Sequence, residues 1–183
     1  MNITPTSIDD VRIVQPRRIG DARGWFEETW RADAIAAAGI DVTFVQDNQS
    51  FSAKAGTVRG LHFQLPPFAQ AKLVRVVSGA ILDVAVDLRR TSPSFGRHVA
   101  VRLDAENGTQ LFIPVGFAHG FCTLAENTSV SYKVSSAYSR EHDRGMRWND
   151  PALGIDWPVS EDQAQLSDKD RIAPLLADLR DLF

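Results

Sequence analysis

A chain of 183 residues with 44% hydrophobic and 23% charged residues can bury one substantial core and carries no compositional bias toward disorder. Its net charge of -3 and pI near 5.8 argue against a general binder of nucleic acid or of anionic membranes. No leader-like or membrane-length apolar run is present, and the one cysteine, Cys122, sits in the apolar run GFCTL as a buried reduced thiol would, so a cytoplasmic protein is expected.

Residues 1 to 17 offer one short strand around Val11 to Val14, ending at Pro16. In DARGWFEETW, Ala22-Arg23-Gly24 reads as a turn and Trp25 to Trp30 as a strand of alternating aromatic and acidic positions. Arg31 to Ala38 is alanine-rich and stops at Gly39, as a short helix does. FVQDNQSFS, Phe44 to Ser52, is amide-rich for a strand, which suits a face that meets a ligand or a neighbouring subunit.

Gly56 to Lys72 reads as a strand followed by a loop broken by Pro66-Pro67. In ILDVAVDL, Leu82, Val84, Val86 and Leu88 share one face and Asp83, Ala85 and Asp87 the other, so one dry side is predicted. HVAVRL alternates likewise, with Val99, Val101 and Leu103 on one face. Turn signals at Ser78-Gly79, Pro93 to Gly96 and Glu106 to Gly108 fall at the spacing of a β-sandwich or barrel. With no internal repeat or linker, residues 1–183 form one domain with a tail from Asp150-Pro151. Ile172, Leu175, Leu176 and Leu179 trace a helical stripe in that tail, with Ser167 as N-cap, which predicts a helix on the outside of the barrel.

Two spacings point to a cupin-type barrel. Gly56 and His62 give G-x5-H, and Gly108, Pro114, Gly116 and His119 give G-x5-P-x-G-x2-H. Metal-dependent cupins place a second His two residues after the first and a Glu nearby. Here that position is Gln64, and no acid lies between Arg59 and Ser78, so no metal or other cofactor is expected. His62 is then free to carry protons, its unperturbed pKa lying close to working pH.

The ordered segments DARGWFEE, FVQDNQS, GTVRGLHFQ, QAKLVRVVSG, DVAVDLRRTSPSFG, FIPVGFAHGF, YKVSSAY, WNDPALGIDWP and LSDKD resemble the dTDP-4-dehydrorhamnose 3,5-epimerase family from about Val11 to Pro174. The resemblance implies an all-β, metal-free jelly roll with a few short peripheral helices, dimeric, acting on a deoxythymidine-diphosphate sugar. A ketone at C4 acidifies the hydrogens on C3 and C5, so inverting those centres takes a base, an enolate stabiliser and an acid on the opposite face. The resemblance gives those roles to His62 as base, Lys72 as stabiliser of the O4 enolate and Tyr132 as acid, with Asp170 holding the His62 tautomer. The residues themselves permit plainer roles: a hydrogen-bonded core histidine, a surface lysine, a core tyrosine, and an acid in the first helical turn after Ser167.

For binding, the resemblance assigns Arg23, Arg59 and His119 to the diphosphate with Lys169 as a further contact, and Tyr138 to stacking on thymine. It gives Glu28, Gln46, Asp47 and Asn48 to the nucleotide, some of them from the partner subunit of a homodimer with shared sites. Arg59 and His62 are three apart, so both face one pocket only if Gly60 supplies a bulge. Asp143 stands where the family commonly has Glu, and Trp25 where Phe is more usual; both bear on fine specificity rather than on the reaction. Two other readings stay open. One is a C3-only epimerase of a related sugar, and the other a non-catalytic cupin that binds a nucleotide sugar.

Overall fold

A computed structural model describes residues 1–183. Six strands form one sheet in the order β1 (Asn2–Pro5), β2 (Arg12–Gln15), β10 (Gln110–Ile113), β7 (Lys72–Ser78), β12 (Thr128–Val134), β5 (Gln46–Ser52). Five form a second, in the order β13 (Asp143–Gly145), β6 (Val58–Gln64), β11 (Phe117–Thr123), β8 (Ala80–Asp87), β9 (His98–Asp104). Every named pairing is antiparallel, and the two inner faces meet over Val74, Val76, Leu111, Phe117, Phe121 and Val130. This is the jelly-roll architecture the spacing and the resemblance predict.

The N-terminal segment holds two strands rather than one. Ile3 pairs with Val14 although β1 carries only that one large aliphatic residue before its closing Pro5, too little for a periodic signal. The aromatic-acidic segment is a hairpin of β3 (Arg18–Asp21) and β4 (Gly24–Glu27) instead of a strand running to Trp30. The Arg18 guanidinium, at 3.0 Å from Glu27 and 3.7 Å from the Trp25 ring centre, ties its base to the loop before β10 through the carbonyls of Ala105 and Glu106. Helix α1 (Ala32–Ala37) follows, closed by Gly39 in the left-handed region at φ +78°.

Strand β8 differs from its predicted single dry side, because both faces are buried. Ile81 and Ala85 point into the barrel, while Val84 and Val86 pack outward under Met146, Leu153 and the C-terminal segment. That segment is not the continuous helix the apolar stripe predicts. Helix α2 (Asp168–Arg171) is one turn long, Pro174 follows within three residues, and Ile172 is 81% exposed. Beyond it the chain runs over the five-stranded sheet with Leu176, Leu179 and Phe183 on the outer core, and the Phe183 carbonyl accepts from the Arg90 N–H at 2.8 Å. Cys122 is buried and free, its thiol pushed up to about 11 by burial. No helix is long and apolar enough to cross a membrane.

Candidate active site

One end of the space between the sheets is polar. A cavity of about 520 Å³ opens there, and Arg59, His62, Lys72, His119, Tyr132 and Asp170 all line it. Four strands and α2 deliver these groups: Arg59 and His62 from β6, Lys72 from β7, His119 from β11, Tyr132 from β12, and Asp170 from α2 (Asp168–Arg171).

The bulge expected at Gly60 is present. His119 pairs with His62 and Phe121 with Arg59, so Gly60 and Leu61 face Gly120 alone, which lets Arg59 and His62 reach the same cavity. Only glycine fits at position 60. Its φ is +118°, and a Cβ there would lie 2.6 Å from the Gly120 Cα.

His62 Nε2 lies 2.5 Å from Asp170 Oδ1. Burial pushes the Asp170 carboxyl up, but hydrogen bonds from His62, Ser167 and the Gly60 backbone outweigh it and hold the group below the usual carboxylate range. An ionised carboxylate only accepts, so the ring proton stays on Nε2 and Nδ1 keeps its lone pair. The two sequence readings of Asp170 hold together: its N–H donates to Ser167 Oγ at 3.1 Å as a helix cap requires, while its side chain orients the histidine.

Opposite charges meet deeper in the cavity. Asp83, wholly buried on β8, has Oδ1 2.7 Å from His119 Nε2, and its Oδ2 has no hydrogen-bond partner. Burial lowers the His119 pKa against the pull of Asp83, so the ring is neutral at pH 7. A neutral imidazole brings no charge to a phosphate and offers it a polar ring nitrogen instead. Burial likewise pushes the Lys72 ammonium down to about 8, against Asp83 and Asp143. The Arg59 side chain bonds only Ser52 Oγ at 3.2 Å and the Phe51 carbonyl at 2.9 Å. The positive potential of the cavity therefore rests on Arg59 and Lys72.

Tyr132 faces inward with Val130 and Val134, as its alternation predicts, and packs on the main core. Burial raises its phenol pKa against the opposing charge of Arg59, so it stays protonated well above neutrality. Asn48 is its register partner on β5, and Gln46 Nε2 donates to Asn48 Oδ1 at 2.7 Å on that inner face. Asp47 is not with them. It lies on the outer face of the sheet, 2.9 Å from Lys133 Nζ, because successive strand residues point to opposite sides.

A second group sits beside the cavity rather than in its wall. Asp143 on β13 accepts from the Tyr138 hydroxyl at 3.1 Å and from Lys169 Nζ, joining the loop after β12 to α2. Arg23 and Glu28 are brought to neither group. Arg23, at the exposed tip of the β3–β4 hairpin, pairs with Asp21, and Glu28 pairs with Arg31 at 3.4 Å.

Sequence reasoning gave no role to Asp83 or to the amide of Gln64. An acid in an otherwise apolar strand was the available signal for Asp83, but its neighbours Ala85 and Asp87 made that face read as the wet one. No group of three or more His, Cys, Asp or Glu side chains is arranged to hold a metal ion. Gln64, at the position of a second cupin ligand, spends its amide on backbone groups of two loops.

The cavity thus pairs a carboxylate-oriented base with a protonated phenol, an ammonium and a guanidinium. Proteins of known function share both sequence and architecture with this chain. The family model described as dTDP-4-dehydrorhamnose 3,5-epimerase matches residues 5–178. A dTDP-4-dehydrorhamnose 3,5-epimerase of Sinorhizobium fredii is 54% identical over 173 residues, 94% of this chain and 88% of that protein. The crystal structure of a dTDP-6-deoxy-D-glucose-3,5-epimerase from Legionella pneumophila, in complex with dTDP-4-keto-L-rhamnose, superposes with a TM-score of 0.93 at 46% identity, covering 98% of this chain and 94% of that one. A dTDP-4-dehydrorhamnose 3,5-epimerase from Bacillus anthracis with TDP and PPi bound gives 0.92 at 50% identity, over 95% and 98%.

Proposed function

The chain belongs to the dTDP-4-dehydrorhamnose 3,5-epimerase family, and from that premise we propose how its residues carry out the reaction. It is an isomerase that inverts C3 and C5 of dTDP-4-dehydro-6-deoxy-D-glucose to give dTDP-4-dehydro-L-rhamnose. The observation that carries the mechanism is the His62–Asp170 contact at 2.5 Å on the wall of a cavity that Tyr132 and Lys72 also line.

His62 takes the hydrogen from C5 or C3, each acidified by the C4 ketone. As the carbon loses its proton, negative charge collects on O4, where the buried Lys72 ammonium stabilises it. Tyr132 then protonates the enolate from the opposite face, which inverts the centre. Asp170 stabilises the imidazolium that forms on His62. Arg59 holds the diphosphate, while Tyr138, Lys169 and Asp143 meet the nucleotide end and Gln46 and Asn48 add polar contacts. Conversion of the substrate in deuterated water tests this, with deuterium expected at both C3 and C5 of the product. Label at C3 alone would make it a C3-only epimerase.

Lys72 sets the alkaline limit of this chemistry. Its ammonium deprotonates as pH rises through about 8, and the stabilising charge goes with it, whereas Tyr132, with its raised pKa, is still protonated there. The kcat/KM profile is expected to fall above pH 8, and Lys72→Met to be slow at every pH with that limb gone. An unchanged limb in Lys72→Met would move the titration to another group.

The same proposal includes a homodimer with shared sites. Ile19, Trp25 and Phe26 on the hairpin and Val45 and Phe51 by the edge strand β5 are 55–68% exposed, more apolar surface than two short segments of a monomer commonly show. A hairpin laid on a second copy also carries Arg23 and Glu28 away from their own cavity and toward a partner's. Phe26→Asp should shift the mass in sedimentation equilibrium from dimer to monomer; a wild-type monomer would end the idea. A cytoplasmic location, suggested by the single buried thiol of Cys122, belongs to the proposal too.

A further inference from the structure

Gln64 stands two residues after His62 on β6 and is 4% exposed. Its amide bonds to backbone at three points on two loops. Nε2 donates to the Phe68 carbonyl at 2.7 Å and to the Ala137 carbonyl at 3.1 Å, and Oε1 accepts from the Ser139 N–H at 2.7 Å. Ala137 and Ser139 are the two chain neighbours of Tyr138, which is 60% exposed.

The rest of the lacing leaves that ring to Gln64. Gln70 bonds Ser136 and Ala71 bonds Ser135, which fixes the start of the loop after β12. His142 closes the far end through the Ser139 hydroxyl and the Leu65 N–H. Between those anchors only the Gln64 amide grips the backbone on both sides of Tyr138, while the phenol oxygen reaches Asp143, the register partner of Gln64 on β13. An exposed aromatic on a loop ordinarily gives up freedom when a ligand orders it. A buried amide that fixes its backbone beforehand removes part of that cost.

We propose that Gln64 is a positioning residue for nucleotide recognition: it holds the Tyr138 loop in its binding geometry and ties that geometry to the strand bearing the base. The cupin position that elsewhere supplies a metal ligand serves here to place a stacking platform. The proposal rests on Tyr138 meeting the thymine ring.

The test is the pair Gln64→Met and Tyr138→Ala, singly and combined, with dTDP affinity measured by calorimetry and steady-state kinetics on the dTDP-sugar. Gln64→Met keeps the length of the side chain and removes all three bonds. It should raise the dTDP Kd and the substrate KM by about tenfold and leave kcat within about twofold. In the Tyr138→Ala background the same substitution should change Kd by less than about twofold, since it acts through the ring that is gone. A full Gln64→Met penalty on top of Tyr138→Ala, or a loss confined to kcat or to melting temperature, overturns the positioning role. Normal dTDP affinity in Tyr138→Ala alone overturns the stacking reading beneath it, and the proposal with it. If Gln64→Met does not fold, Gln64→Glu replaces it in the cycle. It keeps the acceptor for Ser139 but turns a carboxylate on two carbonyls, and the same pattern is expected.

Discussion

His62→Ala loses turnover by more than about 10³-fold, the scale of a deleted general base, while dTDP binds nearly as in the wild type. The separation follows from where the groups sit. His62 contacts Asp170, while Arg59, the residue proposed to hold the diphosphate, has no carboxylate partner. Arg59→Ala should therefore show the reverse emphasis, with binding lost first. Asp170→Asn isolates the second half of the dyad: its backbone N–H still caps α2 through Ser167, so melting is little changed. An amide can donate to Nε2 and so place the ring proton on Nδ1, the nitrogen needed as base, and turnover falls by the same order as in His62→Ala. Kinetics in parallel with dTDP calorimetry checks all three variants, and near wild-type turnover in His62→Ala would reassign the base.

The barrel was legible because alternating strands, turn signals and the two cupin spacings all describe the same closed antiparallel sheet. The polar centre was legible for a different reason. The resemblance singles out His62, Lys72, His119 and Tyr132, and strand alternation adds the inward direction for Tyr132 alone, through its neighbours Val130 and Val134. Where two layers cover a strand the same rule fails. β8 carries Asp83 on the face that seemed wet, and only the docking of residues 146–183 over the opposite face shows both sides to be dry. Asp83 was thus passed over, though it is the acid that fixes His119 and tempers the lost charge of Lys72. The C-terminal stripe misled for another reason: a single 3-10 turn, Leu176–Asp178, also brings residues three apart to one side, so Leu176 and Leu179 dock on the outer core without an α-helix. Pro174 decides against the helix. Spacing does not locate Arg23 and Glu28, because Arg23 lies at the tip of a hairpin that joins neither main sheet and Glu28 follows directly after it.

Tyr132→Phe separates inversion from exchange. The phenol shares its strand face with Val130 and Val134 and lines the cavity with His62, and its raised pKa keeps the proton available throughout the working range. Removing only the hydroxyl leaves the ring, its packing on the core and the base untouched. The enolate still forms, stabilised by Lys72, but no acid waits on its other face. The proton then returns from the protonated His62, to the side it left. In deuterated water the variant is expected to exchange C3 and C5 hydrogens for deuterium with retained configuration, while epimerisation falls on the order of 10²- to 10⁴-fold, the usual worth of a positioned acid. Exchange and inversion are read in one experiment, by proton NMR of the sugar ring over time. Wild-type epimerisation in Tyr132→Phe would hand the acid role to water or to Tyr138. Loss of exchange together with inversion would mean that the hydroxyl is needed before the enolate forms, as a donor to O4 beside Lys72 rather than as the acid that inverts the carbon.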